Sequence, residues 1–98
     1  MTVRHIVLFR FIEGATPGQV AAAGSALRAM HGEIPGIRGV AFGPNVGPTS
    51  GEWSHVLVVE LDDMAAVGRY SVHPVHLDVV QRFIAPIREA RLAVDLEA

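Results

Sequence analysis

Two segments of the chain, residues 3–12 and 53–61, are rich in β-branched and aromatic residues and therefore predict strands. Side chains alternate between the two faces of a strand. In the first segment one face carries Val3, Val7, Phe9 and Phe11, and the other carries Ile6, Leu8 and Ile12. In the second segment one face carries Trp53, Leu57, Val59 and Leu61, and the other carries Val56 and Val58. Both strands are thus apolar on both faces, which is typical of a strand that is covered on both sides.

The first of these strands is followed by a helix signal. Thr16 can cap the helix, Pro17 suits its first position, and Gln19 completes a capping box three residues after the threonine. The apolar residues that recur at helical spacing are Val20, Ala23, Leu27, Met30 and Ile34. We expect this helix to end near Glu33.

The second double-faced strand is also followed by helical spacing. Asp62 or Asp63 can cap a helix that carries Met64, Val67 and Tyr70, and Pro74 interrupts it. A further helical stretch then places one apolar stripe along Val75, Val79, Val80, Phe83, Ile84 and Ile87. Residues 91–98 are predicted to form a last strand.

Glycines interrupt the alternation in residues 34–47, which predicts a second strand that is bent or bulged. Residues 47–52 are polar and rich in turn-forming residues, so a mobile loop is expected there. The complete order is β-α-β-β-α-β over a single domain, residues 1–98. This order is typical of an α+β, ferredoxin-like fold with a four-stranded antiparallel sheet and both helical regions on one face.

Helices on one face cannot cover strands that are apolar on both. The uncovered face would expose an apolar patch that a monomer rarely tolerates. We therefore expect a homodimer whose sheets pack face to face or close into an α/β barrel.

Composition narrows the classes of partner. The net charge is −2, and the eight basic residues are all arginines and are scattered, which argues against nucleic acid as a partner. No apolar run approaches the length of a membrane span, so no membrane partner is expected. The 98 residues contain no cysteine, which is consistent with a cytoplasmic location.

Several polar side chains share the apolar faces. Alternation places His5 with Val7 and Phe9, and His55 with Leu57 and Val59. Helical spacing places His76 with Val79 and Val80, and Tyr70 with Val67. One tyrosine and up to three histidines are therefore predicted to face one apolar space between the sheet and the helices.

These residue types suit proton transfer next to a carbonyl. An imidazole with a pKa of about 6.5 can accept a proton at neutral pH. A tyrosine hydroxyl can donate a hydrogen bond to the carbonyl oxygen of the substrate, which gains charge as the proton leaves. The alternative is that each is a buried polar group satisfied by a backbone carbonyl. A metal site at His73 and His76 is disfavoured, since Pro74 interrupts the helix and no third ligand is evident. Ser54 and Ser71 lie in no nucleophile motif, and the glycines follow no phosphate-loop pattern.

Four segments together carry a family resemblance: VRHIVLFRF, IPGI, SHVLVVEL and YSVHPVH. The chain resembles the stress-responsive dimeric α/β barrel (Dabb) family over nearly its whole length. The resemblance implies a homodimer in which two four-stranded sheets close into one barrel.

A plant polyketide cyclase of this family catalyses an intramolecular aldol condensation without a cofactor. The resemblance implies that Tyr70 is the catalytic tyrosine, that His76 is the general base, and that His5 and His55 are the strand histidines of the site. It also implies that His73 shapes the turn at Pro74. Helix one departs from the plant cyclase, because small or aliphatic residues replace bulky aromatics there, so a pocket of different shape is expected.

Two functions are therefore expected from the sequence. The first is binding of a small apolar or polyketide-like carbonyl compound, without a cofactor, in a pocket between sheet and helices. Its expected lining comprises Val7, Phe9, Leu27, His55, Val59, His73, Val79 and Val80. The alternative is a metal-free polyketide cyclase with Tyr70, His76 and His5 as its catalytic residues.

Overall fold

In this computed structural model, three helices pack against one face of a four-stranded antiparallel sheet. The structure describes residues 1–49 and 51–98. The strands are β1 Val3–Phe11, β2 Ile37–Pro44, β3 His55–Leu61 and β4 Arg88–Glu97, and the helices are α1 Pro17–Ala29, α2 Met64–Val72 and α3 Pro74–Val79. The strand order β2-β3-β1-β4 confirms the predicted ferredoxin-like α+β fold.

Local capping signals act as the sequence predicts. The Thr16 hydroxyl accepts a hydrogen bond from the backbone N–H of Gln19 (3.1 Å), and the Gln19 side chain accepts one from the N–H of Thr16 (2.9 Å). A 3₁₀ turn, Met30–Gly32, extends α1 to just before the predicted end. Of the two candidate caps for α2, Asp63 is the one used, since its carboxylate accepts from the N–H of Ala66 (2.8 Å).

Two strands carry irregularities. The pairing of β2 with β3 shifts register between Ile37 and Gly39, which confirms the predicted bulge. The pairing of β4 with β1 shifts register between Arg10 and Phe11. β4 begins at Arg88, three residues before the predicted start. The loop predicted to be mobile at residues 47–52 includes Ser50, which lies outside the described residues.

The helices cover one face of the sheet and leave the other exposed. The covered face holds the buried residues of β1 and β3, including Val3, Val59 and Leu61, which have no exposed surface. We call the opposite side the open face; its apolar residues are Ile6, Leu8, Val56, Val58, Leu92, Val94 and Leu96. The last three of these are about half exposed, at 47%, 48% and 52%.

The helices are short. Within residues 1–49 and 51–98, none has the length and hydropathy needed to cross a membrane.

Candidate functional site

A cavity of about 510 Å³ lies between the covered face and the helices. Its wall is mostly apolar, with a set of polar groups along one side. The lining residues are His5, Val7, Phe9, Leu27, Leu57, Val67, Tyr70, Ser71, His76, Val80, Ile84, Arg88, Arg91, Ala93 and Asp95.

The junction of α2 and α3 brings Tyr70 and His76 together. His73 adopts an extended conformation between the helices, and its Nδ1 accepts a hydrogen bond from the backbone N–H of Val75 (3.1 Å). Pro74 then provides the first residue of α3, where the missing N–H costs nothing. The chain turns at this point, and the rings of Tyr70 and His76 pack with their centroids 4.3 Å apart.

A hydrogen bond to the backbone of Ser71 fixes the tautomer of His76. Its Nδ1 lies 3.1 Å from the carbonyl oxygen of Ser71, and because a carbonyl can only accept, Nδ1 carries the proton. Burial lowers the pKa of His76 below its ordinary value, although the bond to Ser71 acts in the opposite direction. At neutral pH the ring is therefore uncharged, and Nε2 is its basic atom.

Tyr70 is the bulkiest of the fully buried side chains, with 1% of its surface exposed. Burial raises the pKa of its hydroxyl to about 12, and the nearby guanidinium of Arg91 opposes this shift in part. The hydroxyl is thus protonated at neutral pH. Tyr70 borders the cavity, so its hydroxyl can donate to a molecule bound there.

His5 extends the polar side of the cavity onto the sheet. Its ring meets the Tyr70 ring edge to face, with centroids 5.6 Å apart. Cross-strand pairing sets His5 directly opposite Asp95, and Nδ1 of the imidazole donates to Oδ1 of the carboxylate at 2.8 Å. The carboxylate fixes the orientation of this ring, as the Ser71 carbonyl does for His76.

Seven of the predicted site residues line the cavity: His5, Val7, Phe9, Leu27, Tyr70, His76 and Val80. Four do not: His55, Val59, His73 and Val79. Whether the seven bind a ligand stays a prediction.

Each of the four excluded residues has another environment. His55 packs against Phe11 and Phe42, with ring centroids 4.8 and 5.7 Å away. Val59 is completely buried, His73 caps α3, and Val79 borders a separate groove between α1 and α3. Alternation correctly predicts the face of His55, but register places it opposite Phe9, four residues along β1 from His5.

The sequence reasoning missed the contribution of β4. Arg88, Arg91 and Asp95 line the cavity, together with Ser71 from the end of α2. The missed apolar lining residues are Leu57, Val67, Ile84 and Ala93. The alternation of Arg91, Ala93 and Asp95 is a signal that could have placed these three on one face.

The spacing of His73 and His76 does not bring them into a shared site, because the Nδ1 atoms of the two rings are engaged with different backbone groups. Among residues 1–49 and 51–98, no cluster of three or more metal-ligating side chains is present.

Fold and cavity together define a ferredoxin-like α+β domain with a buried tyrosine between two oriented histidines. The sequence matches the family described as Stress responsive A/B Barrel Domain over residues 3–98. The chain belongs to that family, as the resemblance of its segments predicted. No curated protein matches the chain.

Solved structures share the fold over the whole chain. A dimeric ferredoxin-like protein of unknown function from Thermobifida fusca is 34% identical, with a TM-score of 0.84 over 100% of this chain and 92% of that one. A second dimeric ferredoxin-like protein of unknown function, from Bacteroides fragilis, is 29% identical, with a TM-score of 0.80 over 99% and 96%. A hydroxynitrile lyase from Passiflora edulis is 18% identical, with a TM-score of 0.85 over 97% and 91%, and shows the fold alone.

Proposed function

We propose that this protein is a homodimer that binds a small apolar or polyketide-like carbonyl compound in the cavity. One observation carries the proposal. Tyr70 and His76, a protonated hydroxyl and a neutral imidazole, border the same cavity with their rings 4.3 Å apart. The hydroxyl donates to the carbonyl oxygen of the ligand, while Nε2 of His76 lies ready to accept a proton.

The size and wall of the cavity support a ligand of this class. A volume of about 510 Å³ lies within the range of small-molecule sites. Val7, Phe9 and Leu57 on the sheet provide apolar surface for the body of the ligand, and the polar groups stand at one side. Such a division orients a molecule that has an apolar body and an oxygen at one end.

The open face supports the homodimer. Its apolar centre is bordered by ion pairs, Arg4 with Glu60 (3.9 Å) near one end of β1 and Arg10 with Glu89 (3.1 Å) near the other. An apolar centre with a charged rim is the usual anatomy of a protein interface. The relatives from Thermobifida fusca and Bacteroides fragilis are dimeric. The absence of cysteine in the sequence fits a cytoplasmic dimer.

A second candidate function, intramolecular aldol condensation, is favoured by the fixed tautomer of His76. Nε2 takes a proton from a carbon beside a carbonyl, and the electron pair of that C–H bond forms an enolate whose oxygen accepts from Tyr70. The enolate carbon then attacks a second carbonyl of the same molecule, and the resulting alkoxide regains the proton from His76. His5, held by Asp95, supports the Tyr70 ring from the sheet side.

A neutral ketone, 2-acetylnaphthalene, tests both candidates. We expect saturable binding by fluorescence, and Tyr70→Phe should raise the Kd by about fivefold, because one hydrogen bond is lost. In deuterium oxide, the methyl protons should exchange faster with the wild type than in buffer, as measured by NMR. His76→Ala should bind the ketone but show only the buffer rate, whereas His31→Ala, at an exposed histidine, should behave as the wild type.

The outcomes separate the two functions. Failure of the wild type to bind this ketone and a panel of polyketide-like acids would contradict the binding proposal. Binding with exchange at the buffer rate would leave the binding function and remove the catalytic one.

A further inference from the structure

We infer that the natural ligand carries a carboxylate, held by Arg91 and Arg88 at the side of the cavity formed by β4. This inference rests on the proposed function, since it names the chemical class of ligand for the same cavity. Both arginines border the cavity together with Tyr70 and His76.

The bulge in β4 brings the two arginines to one side. Residues three apart on a regular strand point to opposite faces. Here Arg91 pairs with Phe9, Ala90 pairs with Arg10, and Arg88 pairs with Phe11, which leaves Glu89 as the extra residue. Since Phe9 and Phe11 both belong to the covered face, Arg88 and Arg91 share it.

The same bulge removes an acidic group from the cavity. Glu89 would share the cavity face with Arg91 in a regular strand, but it instead contacts Arg10 at the rim of the open face (3.1 Å). The bulge thus exchanges a carboxylate for a guanidinium on the cavity side. Bulges are common beside active sites because they redirect individual side chains in this way.

Charge near the cavity is left unbalanced. Arg4, Arg10, Arg38 and Arg82 each contact a carboxylate within the described residues, whereas no such contact is present for Arg88 or Arg91. Asp95 is the acidic residue among those that line the cavity, and its Oδ1 bonds His5. Two guanidinium groups therefore border the cavity with no carboxylate of the described residues paired to them.

A carboxylate is the ligand group that fits this arrangement. A guanidinium presents parallel N–H donors that match the two oxygens of a carboxylate, and such charged hydrogen bonds are stronger than neutral ones. Arg91 is exposed and Arg88 is half-buried, so the anionic end of the ligand lies at the mouth of the cavity. Its carbonyl then lies deeper, beside the buried Tyr70.

Two isosteric probes, 2-naphthoate and 2-naphthamide, test this inference by fluorescence titration. The wild type should bind the acid at least about tenfold more tightly than the amide, because only the acid carries a negative charge that pairs with the guanidinium groups. In the double variant Arg88→Gln/Arg91→Gln the two Kd values should become nearly equal, with binding of the amide unchanged. Arg69→Gln, at an exposed arginine of α2 outside the cavity, should keep the wild-type preference.

Equal Kd values for acid and amide in the wild type would overturn the inference while the binding proposal stood. A preference that survived in the double variant would also overturn it. If neither probe bound the wild type, the binding proposal would fail and this inference with it. Retained binding of the amide shows that a variant is folded. If the double variant does not fold, Arg91→Lys replaces it in the test. This variant keeps the charge but loses the planar guanidinium, so its preference for the acid should be intermediate.

Discussion

The two faces of the sheet are both rich in apolar side chains, yet they differ in what interrupts the apolar surface. On the covered face, the half-buried His5 contacts the exposed Asp95, and both border a cavity. On the open face, Leu92, Val94 and Leu96 form an exposed stripe without a polar side chain between them, and the ion pairs Arg4–Glu60 and Arg10–Glu89 lie toward the two ends of β1. The difference separates two surfaces: one that borders a cavity with polar groups along it, and one that is suited to contact a second copy.

The largest effect is expected on the open face. Val94→Asp would place a carboxylate within the apolar stripe. Burying this charge in the dimer interface without a cationic partner would cost on the order of 3 kcal/mol or more. Light scattering at micromolar concentration should give a mass of two 10.5 kDa chains for the wild type and one for the variant. Ala22→Asp, at an exposed position of α1, should leave the dimer intact. A monomeric wild type would contradict the interface.

The covered face should show the next largest effect, on stability. Leu61→Ala removes a side chain with no exposed surface, and should lower the free energy of unfolding by about 2–5 kcal/mol, because a cavity is left in the core. Leu77→Ala, at a residue that is 53% exposed, should change it by less than about 1 kcal/mol. Urea unfolding at one fixed protein concentration measures both. Equal losses would show that the two environments do not differ as described.

A smaller effect is expected for the polar pair on the covered face. Asp95→Asn replaces the charged acceptor of His5 with a neutral one, and should lower the free energy of unfolding by about 1 kcal/mol. Glu97→Gln, on the same strand and exposed, provides a matched loss of charge. Should the two variants unfold at the same urea concentration, the contact between His5 and Asp95 would contribute nothing measurable.

The smallest effect concerns pH. Burial lowers the pKa of both His55 and His76 in the folded chain below the ordinary 6.5, and both lie on the covered side. As the pH falls through 6.5, the unfolded chain binds protons before the folded chain does, so the free energy of unfolding should decrease until the folded pKa values are passed. His76→Gln should flatten this decrease, as measured by urea unfolding at a series of pH values. An unchanged slope in His76→Gln would contradict the lowered pKa.

Periodicity along the chain predicts most of the fold, because burial follows a regular repeat. The apolar residues on both faces of β1 predicted the strand and indicated that each face is covered. The capping box at Thr16 located the start of α1. The site is harder to predict, because it depends on register between distant strands. Nothing local shows that His5 faces Asp95, ninety residues away, or that His55 lies opposite Phe9.

The bulge in β4 was a second obstacle to prediction. Alternation counted back from Arg91 assigns Glu89 to the cavity and Arg88 to the other face, which is the reverse of the structure. A single extra residue in a strand makes simple alternation assign every side chain beyond it to the wrong face of the sheet. The stripe predicted after Pro74 also divides between two sides, because Val80 and Ile84 line the cavity whereas Val75, Val79 and Phe83 border the groove between α1 and α3.

The central position of β1 has a consequence for biosynthesis. β1 is the first strand to leave the ribosome, but one of its two neighbours in the sheet is β4, the last. The cavity side of that pairing, including the contact of His5 with Asp95, therefore cannot form until β4 has been synthesised. During that interval one edge of a strongly apolar strand is without its partner, which is the state in which a chaperone protects a nascent domain from aggregation.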